Sequence, residues 1–435
     1  QIKNKESKRL HIKGLVGSSS SFIISTILQQ SERHILLLHK DKEEAAYAHN
    51  DLCNILNNEK QALFYPSSYK SKIHNDRLDT ASIVLRTEVL NQLSNSTEKR
   101  ILVSYPGAIT EKVLSREKLD KNTLKLKVGE EIGIDFITEI LDDYHFERSD
   151  FVFDPGHYSI RGSIVDIFSF SNDVPYRIDF FGDEVESIRS FDIESQLSLE
   201  HYDEISIVPN IQDDRISSKK YSLFDFLPDD TLIISNDLTF FKARVDRLVN
   251  DAKQKYVEDE SGERGIHPEE FLLSSTDIIK QLENYQIIEL GSQTWFTAKH
   301  EIKFNISPQP VFNKDFELLS NNMFENYSNG FINVLFSSSQ KQVDRLQSIF
   351  KEINKEVEEF SPILKAIHEG FVEHDLSLCC YTDHQIFERY HKFQIKSRIV
   401  KKESITIREL TGLHPGDYVV HADHGIGKFA GLTRV

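Results

Sequence analysis

The sequence predicts a multidomain α/β protein: a parallel-sheet α/β domain carrying an inserted antiparallel β-rich (α+β) domain, followed by a further small α/β domain. Three observations predict it. The chain has 435 residues, more than one ordinary core accommodates, so three or four domains are expected. Its first hundred residues alternate short continuous apolar runs with amphipathic stretches, the pattern of strands covered on both faces by helices. From about Phe151 the rhythm becomes period two, and after Pro209 the apolar runs return.

Taken in order, Ile35-Leu36-Leu37-Leu38-His39 predicts a buried strand, and Lys42 to Leu56 a helix, because Ala45, Ala46, His49, Leu52, Cys53 and Leu56 keep helical spacing. Ala62 to Pro66 and Arg100 to Pro106 are short strands ended by proline, and Thr110 to Leu114 reads as helix. Tyr158 to Phe168, Tyr176 to Phe181 and Val185 to Phe191 are strand-like, split by Ser171-Asn172-Asp173 and Gly182-Asp183, which predicts an antiparallel meander. Thr231 to Ile234 is a strand, and the charged stretch Gln254 to Gly265 an exposed helix end or loop. Ile332 to Phe336 predicts a strand, Ser337 to Ser339 a cap, and Val343, Leu346, Ile349 and Phe350 an amphipathic helix. Leu376 to Tyr381 reads as a buried strand, and the apolar-poor run from Phe387 to Ile407 as a linker.

Composition narrows the function classes. Hydrophobic residues make up 39% and charged residues 28% of the chain, as in globular proteins that are neither disordered nor membrane-embedded. No apolar run approaches the roughly 18 residues that span a bilayer. The start, Gln-Ile-Lys-Asn-Lys-Glu, has no apolar signal region, and Met323 is the only methionine, which suggests a trimmed fragment. Cys53, Cys379 and Cys380 are too few for a disulfide framework or zinc site, so a reducing, cytoplasmic home is expected. The net charge of −17 disfavours sequence-independent nucleic-acid binding by the whole chain, because such binding rests on phosphate neutralisation by Lys and Arg.

Two motifs bear on nucleotide chemistry. A phosphate loop has the form G-x-x-x-x-G-K-[ST], its backbone N–H groups cradling phosphates and its lysine meeting the terminal ones. Counted from Gly14, the second glycine falls on Ser19, the lysine on Ser20 and the hydroxyl on Ser21, ahead of an apolar helix from Phe22 to Leu28. The lysine is gone, and read alone the stretch is a serine-capped helix start. A working motor also needs an Asp-Glu pair after a hydrophobic strand, for Mg²⁺ and the attacking water. Here Leu232-Ile233-Ile234-Ser235 ends in Asn236-Asp237, and asparagine lacks the charge that Mg²⁺ needs. Two losses in two halves of one site mark a degenerate nucleotide site.

The run Pro155-Gly156-His157-Tyr158-Ser159-Ile160-Arg161-Gly162-Ser163-Ile164-Val165-Asp166-Ile167-Phe168 resembles the UvrB family of excision-repair proteins. The likeness continues from Tyr176 through Arg189 to Phe191-Asp192, and Leu227 to Ile234 resembles the family's approach to its acidic motif. UvrB keeps both nucleotide motifs, and their loss is the pattern of the transcription-repair coupling factor family, whose amino-terminal module is a degenerate UvrB. Gly412 to Leu432 looks like the start of that family's RNA-polymerase-interacting domain, a Tudor-like β barrel. His421-x-x-His424 within it has no third ligand at fixed spacing and is not read as a metal site.

The resemblance implies a degenerate P-loop, helicase-like domain 1a at 1–120 and domain 1b at 206–310, with a UvrA-binding domain 2 at 121–205. It further implies a small α/β domain at 311–386, a linker at 387–411, and the start of the polymerase-interacting domain at 412–435. UvrA and RNA polymerase are the implied partners, the latter through the complete domain, so polymerase binding by this stretch alone is expected to be poor. DNA would be engaged mainly by a motor further along the family's chains, which also holds ATP and Mg²⁺. No cofactor and no membrane contact is expected here. The implied function is a non-catalytic scaffold that recruits UvrA to stalled polymerase. The alternatives are an ATP-dependent UvrB-like helicase and a damaged-DNA-binding repair subunit, the latter needing a probing hairpin for which Tyr105-Pro106-Gly107 leaves little room. Alternation along Tyr176 to Phe181 sends Arg177, Asp179 and Phe181 to one face. The resemblance makes Arg161, Arg177 and Phe181 a single UvrA-binding patch, in which alanine at Arg177 or Phe181 is expected to leave the fold intact.

Overall fold

Apolar runs too short for helices become buried parallel strands. In the computed structural model, which describes residues 9–56, 58, 61–68, 80–95, 98–210, 221–258, 267–353, 360–389, 418–421 and 425–428, the chain opens with β1 (Arg9–Lys13), α1 (Ser19–Gln30), β2 (Ile35–Leu38), α2 (Lys42–Leu56), β3 (Ala62–Phe64), α3 (Thr80–Asn95) and β4 (Ile101–Ser104). It divides into two compact units, residues 1–396 and residues 397–435. Every side chain of β2 and β4 is buried, as strands with helices on both faces require.

After β4 the short helix α4 (Pro106–Thr110) starts on a proline, which needs no N–H partner there. The helix expected at 110–114 is corrected: it ends at Thr110, and Glu111 and Val113 instead bridge to Leu272 and Tyr221. The fully buried Arg86 guanidinium fixes this corner, donating to Pro66 O at 2.7 Å and Ala108 O at 3.1 Å and lying 3.3 Å from the Glu111 carboxylate. The chain then runs through α5 (Arg116–Lys121) into β5 (Leu124–Lys127), with no hairpin inserted between β4 and α5.

The inserted domain contains α6 (Ile134–Asp143), β6 (Glu147–Arg148), β7 (His157–Arg161), β8 (Ile164–Ile167), β9 (Tyr176–Phe181), β10 (Glu184–Phe191), β11 (Ser198–Tyr202) and β12 (Glu204–Ile207). Six of these strands form a sheet in the order β11-β10-β9-β8-β7-β6, antiparallel except for β6 beside β7. The single strand expected over 158–168 is two strands: Gly162, at φ +64°, turns the chain, and β7 folds back on β8. Strand β12 pairs antiparallel with β5, closing the domain where it opened.

The first sheet then resumes with β13 (Leu232–Ser235), α7 (Leu238–Glu258), α8 (Pro268–Phe271), α9 (Ser275–Leu282), β14 (Gln286–Leu290) and β15 (His300–Lys303). Its strand order is β15-β1-β14-β13-β2-β4-β3, every pair parallel. The stretches expected as domains 1a and 1b therefore share one sheet and one core. Of the charged run Gln254 to Gly265, the first part is the end of α7 and 259–265 lies outside the described residues.

A second α/β layer follows: β16 (Ile306–Pro308), α10 (Phe316–Ser328), β17 (Ile332–Phe336), α11 (Gln340–Glu352), β18 (Ser361–Ile363), β19 (Phe371–Glu373), β20 (Leu378–Thr382) and α12 (Asp383–Ile386). Its sheet runs β16-β19-β20-β17-β18 and takes in a strand ahead of residue 311. Cys379 and Cys380 are buried in β20 as expected, but Leu376 is on the preceding turn and 74% exposed. Ser339 sits at the N-cap of α11 without a side-chain bond; Ser337 Oγ instead accepts from Ser339 N and donates to Asp383. Phe387, assigned to the linker, is buried in this domain's core. Glu388 and Arg389 are described as well, and the remaining 390–411 of that linker lies outside the described residues, as do Gly412 to Asp417, His424 and Gly431. In the second unit β21 (Tyr418–His421) pairs antiparallel with β22 (Gly425–Lys428). Among the described residues no helix is long and apolar enough to cross a membrane.

Candidate docking face and degenerate nucleotide loop

The pleat of β9 buries Tyr176, Ile178 and Phe180 and turns Arg177, Asp179 and Phe181 to the opposite face, as alternation predicts. Strand register then decides what each meets. Asp166 of β8 lies opposite Arg177, Ile164 opposite Asp179, and Arg189 of β10 opposite Arg177 on its other side. The Asp166 carboxylate is buried and accepts from Arg177 Nε at 2.7 Å and Arg177 Nη2 at 2.9 Å. Arg161 Nη2 donates to the same carboxylate. A charge this buried needs paired, directional partners, and the two-pronged Arg177 guanidinium with one Arg161 N–H supplies them.

The arginines are further fixed by aromatic rings. Arg177 lies 4.2 Å from the Phe191 ring centroid and donates to Gln196 Oε1 at 2.8 Å. Arg161 lies 5.1 Å from the Phe151 ring. Beside them Asp179 accepts from Arg189 and from Ser187 Oγ at 2.8 Å. The face is thus a lattice of interleaved acids and arginines.

Phe181 has no such partner and is 78% exposed. It ends β9 at the Gly182-Asp183 loop, where Gly182 takes φ +66°. In a meander the β7–β8 and β9–β10 loops share one end of the sheet, and Phe180 N donates to Ser163 O at 2.9 Å. Phe181 therefore stands at the end where Arg161 emerges. Phe151 and Phe153 on the approach to β7 are also exposed, and a groove of about 580 Å³ is lined by Arg148, Phe151, Ser159 and Arg161.

The structure brings Arg161 and Arg177 together through Asp166 and corrects one expectation. The Arg177 side chain is only 13% exposed against 38% for Arg161, and it anchors a buried acid. It is a framework residue of the face, so the expectation that alanine at Arg177 leaves the fold intact does not suit this geometry. Sequence reading missed Asp166, Asp179 and Arg189 in this role; the signal was present as an aspartate inside the apolar strand Ile164 to Ile167.

The nucleotide loop is occupied by its own side chains and backbone. Gly14 takes φ +82°, and a Cβ there would stand 2.0 Å from Phe304 O, so this glycine serves strand packing beside β15. Ser19 Oγ donates to Val16 O at 2.6 Å and accepts from Val16 N at 2.9 Å, closing the loop on itself. Ser20 Oγ points back to Gly17 O at 3.5 Å, and Ser21 is buried in α1. Asn236 continues the β13 ladder through a bond from its N to Leu38 O, while Asp237 Oδ1 accepts from Phe240 N at 2.8 Å and caps α7. Ser20, Ser21 and Asn236 line one cavity of about 220 Å³ with Asp51 and Glu369; Gly14, Ser19 and Asp237 do not. Glu44, Asp51 and Glu369 share this lining with His39 and His368, and neither lysine nor arginine is among the residues that line it.

Residues 124–212, the stretch that holds the lattice, match the UvrB interaction domain, and residues 413–435 match the CarD-like/TRCF RID domain. The transcription-repair-coupling factor of Bacillus subtilis (strain 168) is 24% identical over 97% of this chain and 42% of its own length. That of Haemophilus influenzae is 24% identical over 80% of this chain and 36% of its own. That of Escherichia coli (strain K12) is 22% identical over 97% of this chain and 42% of its own. The chain thus spans well under half the length of the curated relatives it matches. It is a homologue of the amino-terminal part of the transcription-repair-coupling factors, with a UvrB interaction domain set into a parallel-sheet domain.

Proposed function

We propose that this chain is a non-catalytic scaffold that recruits UvrA to stalled RNA polymerase in transcription-coupled nucleotide excision repair, the UvrA-binding patch being Arg161, Arg177 and Phe181. One observation carries the reading: an aromatic side chain 78% exposed at the end of a sheet whose neighbouring arginines are held rigid by a buried acid. Pre-ordered arginines lose little entropy on binding, and an aromatic beside arginine is a typical hot-spot pairing. The match of this stretch to the UvrB interaction domain supports UvrA as the partner. The match at 413–435 supports polymerase contact through the complete interacting domain.

ATP-driven helicase activity gains no support from a loop closed by Ser19 Oγ and a cavity lined by neither lysine nor arginine. ATP and Mg²⁺ chemistry belongs, in this reading, to a motor in the rest of the relatives' length, as does the main contact with DNA. The test is titration of purified UvrA with the parent chain and with Phe181→Ala. The variant should bind at least about thirtyfold more weakly, roughly 2 kcal/mol, the mark of a hot spot. Binding equal to the parent, with unchanged melting, would remove this face from consideration.

A further inference from the structure

The loop that lost its phosphates has acquired another occupant. Residues 366–370, which connect β18 to β19 in the second α/β layer, lie across it. Ser18 N donates to Glu369 O at 3.1 Å, and Glu369 N donates back to Ser18 Oγ at 2.9 Å. A Cβ on Gly17 would come within 3.0 Å of both Glu369 Cβ and Gly370 O, so the segment rests directly on the loop's crest. An N–H that a phosphate loop offers to a nucleotide is therefore taken by a peptide carbonyl.

The grip extends along α2. His368 N donates to Asp51 Oδ1 at 2.8 Å, and Asn54 Nδ2 donates to Ala366 O at 2.8 Å. The His368 ring stacks on Tyr47 with centroids 3.5 Å apart and planes 11° from parallel. From α1, Phe22 meets Phe336 and Phe371 edge-on at 5.9 and 5.7 Å, within an apolar cluster that includes Ile367. Asp51 is almost wholly buried, and burial pushes its carboxyl up to about 7. An acid is kept in so dry a place only where its hydrogen bonds are needed.

We infer that the degenerate nucleotide site is a docking socket for the chain's own residues 366–370, and that this contact, in place of a nucleotide, holds the second α/β layer on the parallel-sheet domain. A tethered segment sits at high effective concentration, so a free triphosphate would have to displace the Glu369 carbonyl and tolerate the nearby carboxylates. The inference does not rest on UvrA binding, which a released socket should leave unchanged.

Hydrogen exchange on the full chain tests it. In the parent, the amides of His368 and Glu369 should be protected. Ser18→Ala with Asp51→Ala should speed exchange across 366–370 by about tenfold or more, with β17 and α11 unchanged. Should that double variant fail to fold, Asn54→Ala removes only the bond to Ala366 O and should move exchange at 366–370 in the same direction by a smaller factor. Unchanged exchange at 366–370 in a folded variant overturns the socket. A second arm restores the missing motif with Ser19→Gly and Ser20→Lys and titrates Mg-ATP. No saturable binding is expected while 366–370 stays protected, and micromolar binding with that protection intact also overturns the inference.

Discussion

Arg177 and Phe181 are four residues apart on one face of one strand, yet they differ in kind. Phe181 touches little, so Phe181→Ala should shift stability by no more than about 0.5 kcal/mol while weakening UvrA binding. Arg177 ties down a buried carboxylate, so Arg177→Ala should cost about 2 kcal/mol even with Arg161 still bonded to Asp166. Urea unfolding of the two variants separates them; equal, negligible losses would contradict the role given to Asp166. Arg177→Lys should not rescue, because an ammonium cannot reproduce the two-pronged contact at 2.7 and 2.9 Å. The exposed face of β9 was legible from alternation alone. Asp166 as its organiser was not, since alternation says which face a residue takes but not which residue lies opposite.

One helix was legible to its ends, Lys42–Leu56, which carries both the apolar stripe and the observed boundaries, whereas the helix expected over Phe22 to Leu28 runs from Ser19 to Gln30. Elements decided by one turn were not. The expected strand 158–168 breaks at Gly162, and the helix expected at 110–114 lies instead at Pro106–Thr110, with Glu111 beyond it bonded to Ser67 and Ser68. Helix α2 also carries a prediction about pH. Desolvation raises Asp51 from 3.8 to about 7, aided by repulsion from Glu369 and opposed by bonds from Ser18 and the His368 N–H; Glu44 lines the same cavity. The folded state thus holds this proton more tightly than the unfolded state does. Its contribution favours folding at low pH and is lost as pH rises from about 4 to about 7, levelling off above. Asp51→Asn should flatten that part of the profile in urea unfolding across this range; a slope equal to the parent's would show that Asp51 is not its source. At the start of the loop, Gly14→Ala should destabilise by about 2 kcal/mol or more, since a methyl group meets Phe304 O in a left-handed backbone. A melting temperature equal to the parent's would show that β15 can move aside.

At the scale of the whole molecule, the sequence told of an α/β protein with an antiparallel insertion, and the structure has that plan. That strands on either side of the insertion belong to one domain was implied by the plan; what stayed hidden was the strand order, in which β13 lies between β14 and β2, because periodicity says that a segment is a strand and not which strand it pairs with. The parent chain is expected to give no saturable heat with Mg-ATP, and micromolar binding in calorimetry would refute this. The β5–β12 pairing has a further consequence. Leu124 lies opposite Ile207, so the insertion leaves the sheet and returns to it through neighbouring strands, about 5 Å apart. Such a lobe behaves as a cassette: it can be lifted out, or grafted into another host, without stretching either end. Residues 122–209 expressed alone should fold and keep the parent's affinity for UvrA, while the remaining chain, joined across the gap by a short linker, should keep its parallel sheet and lose that affinity altogether.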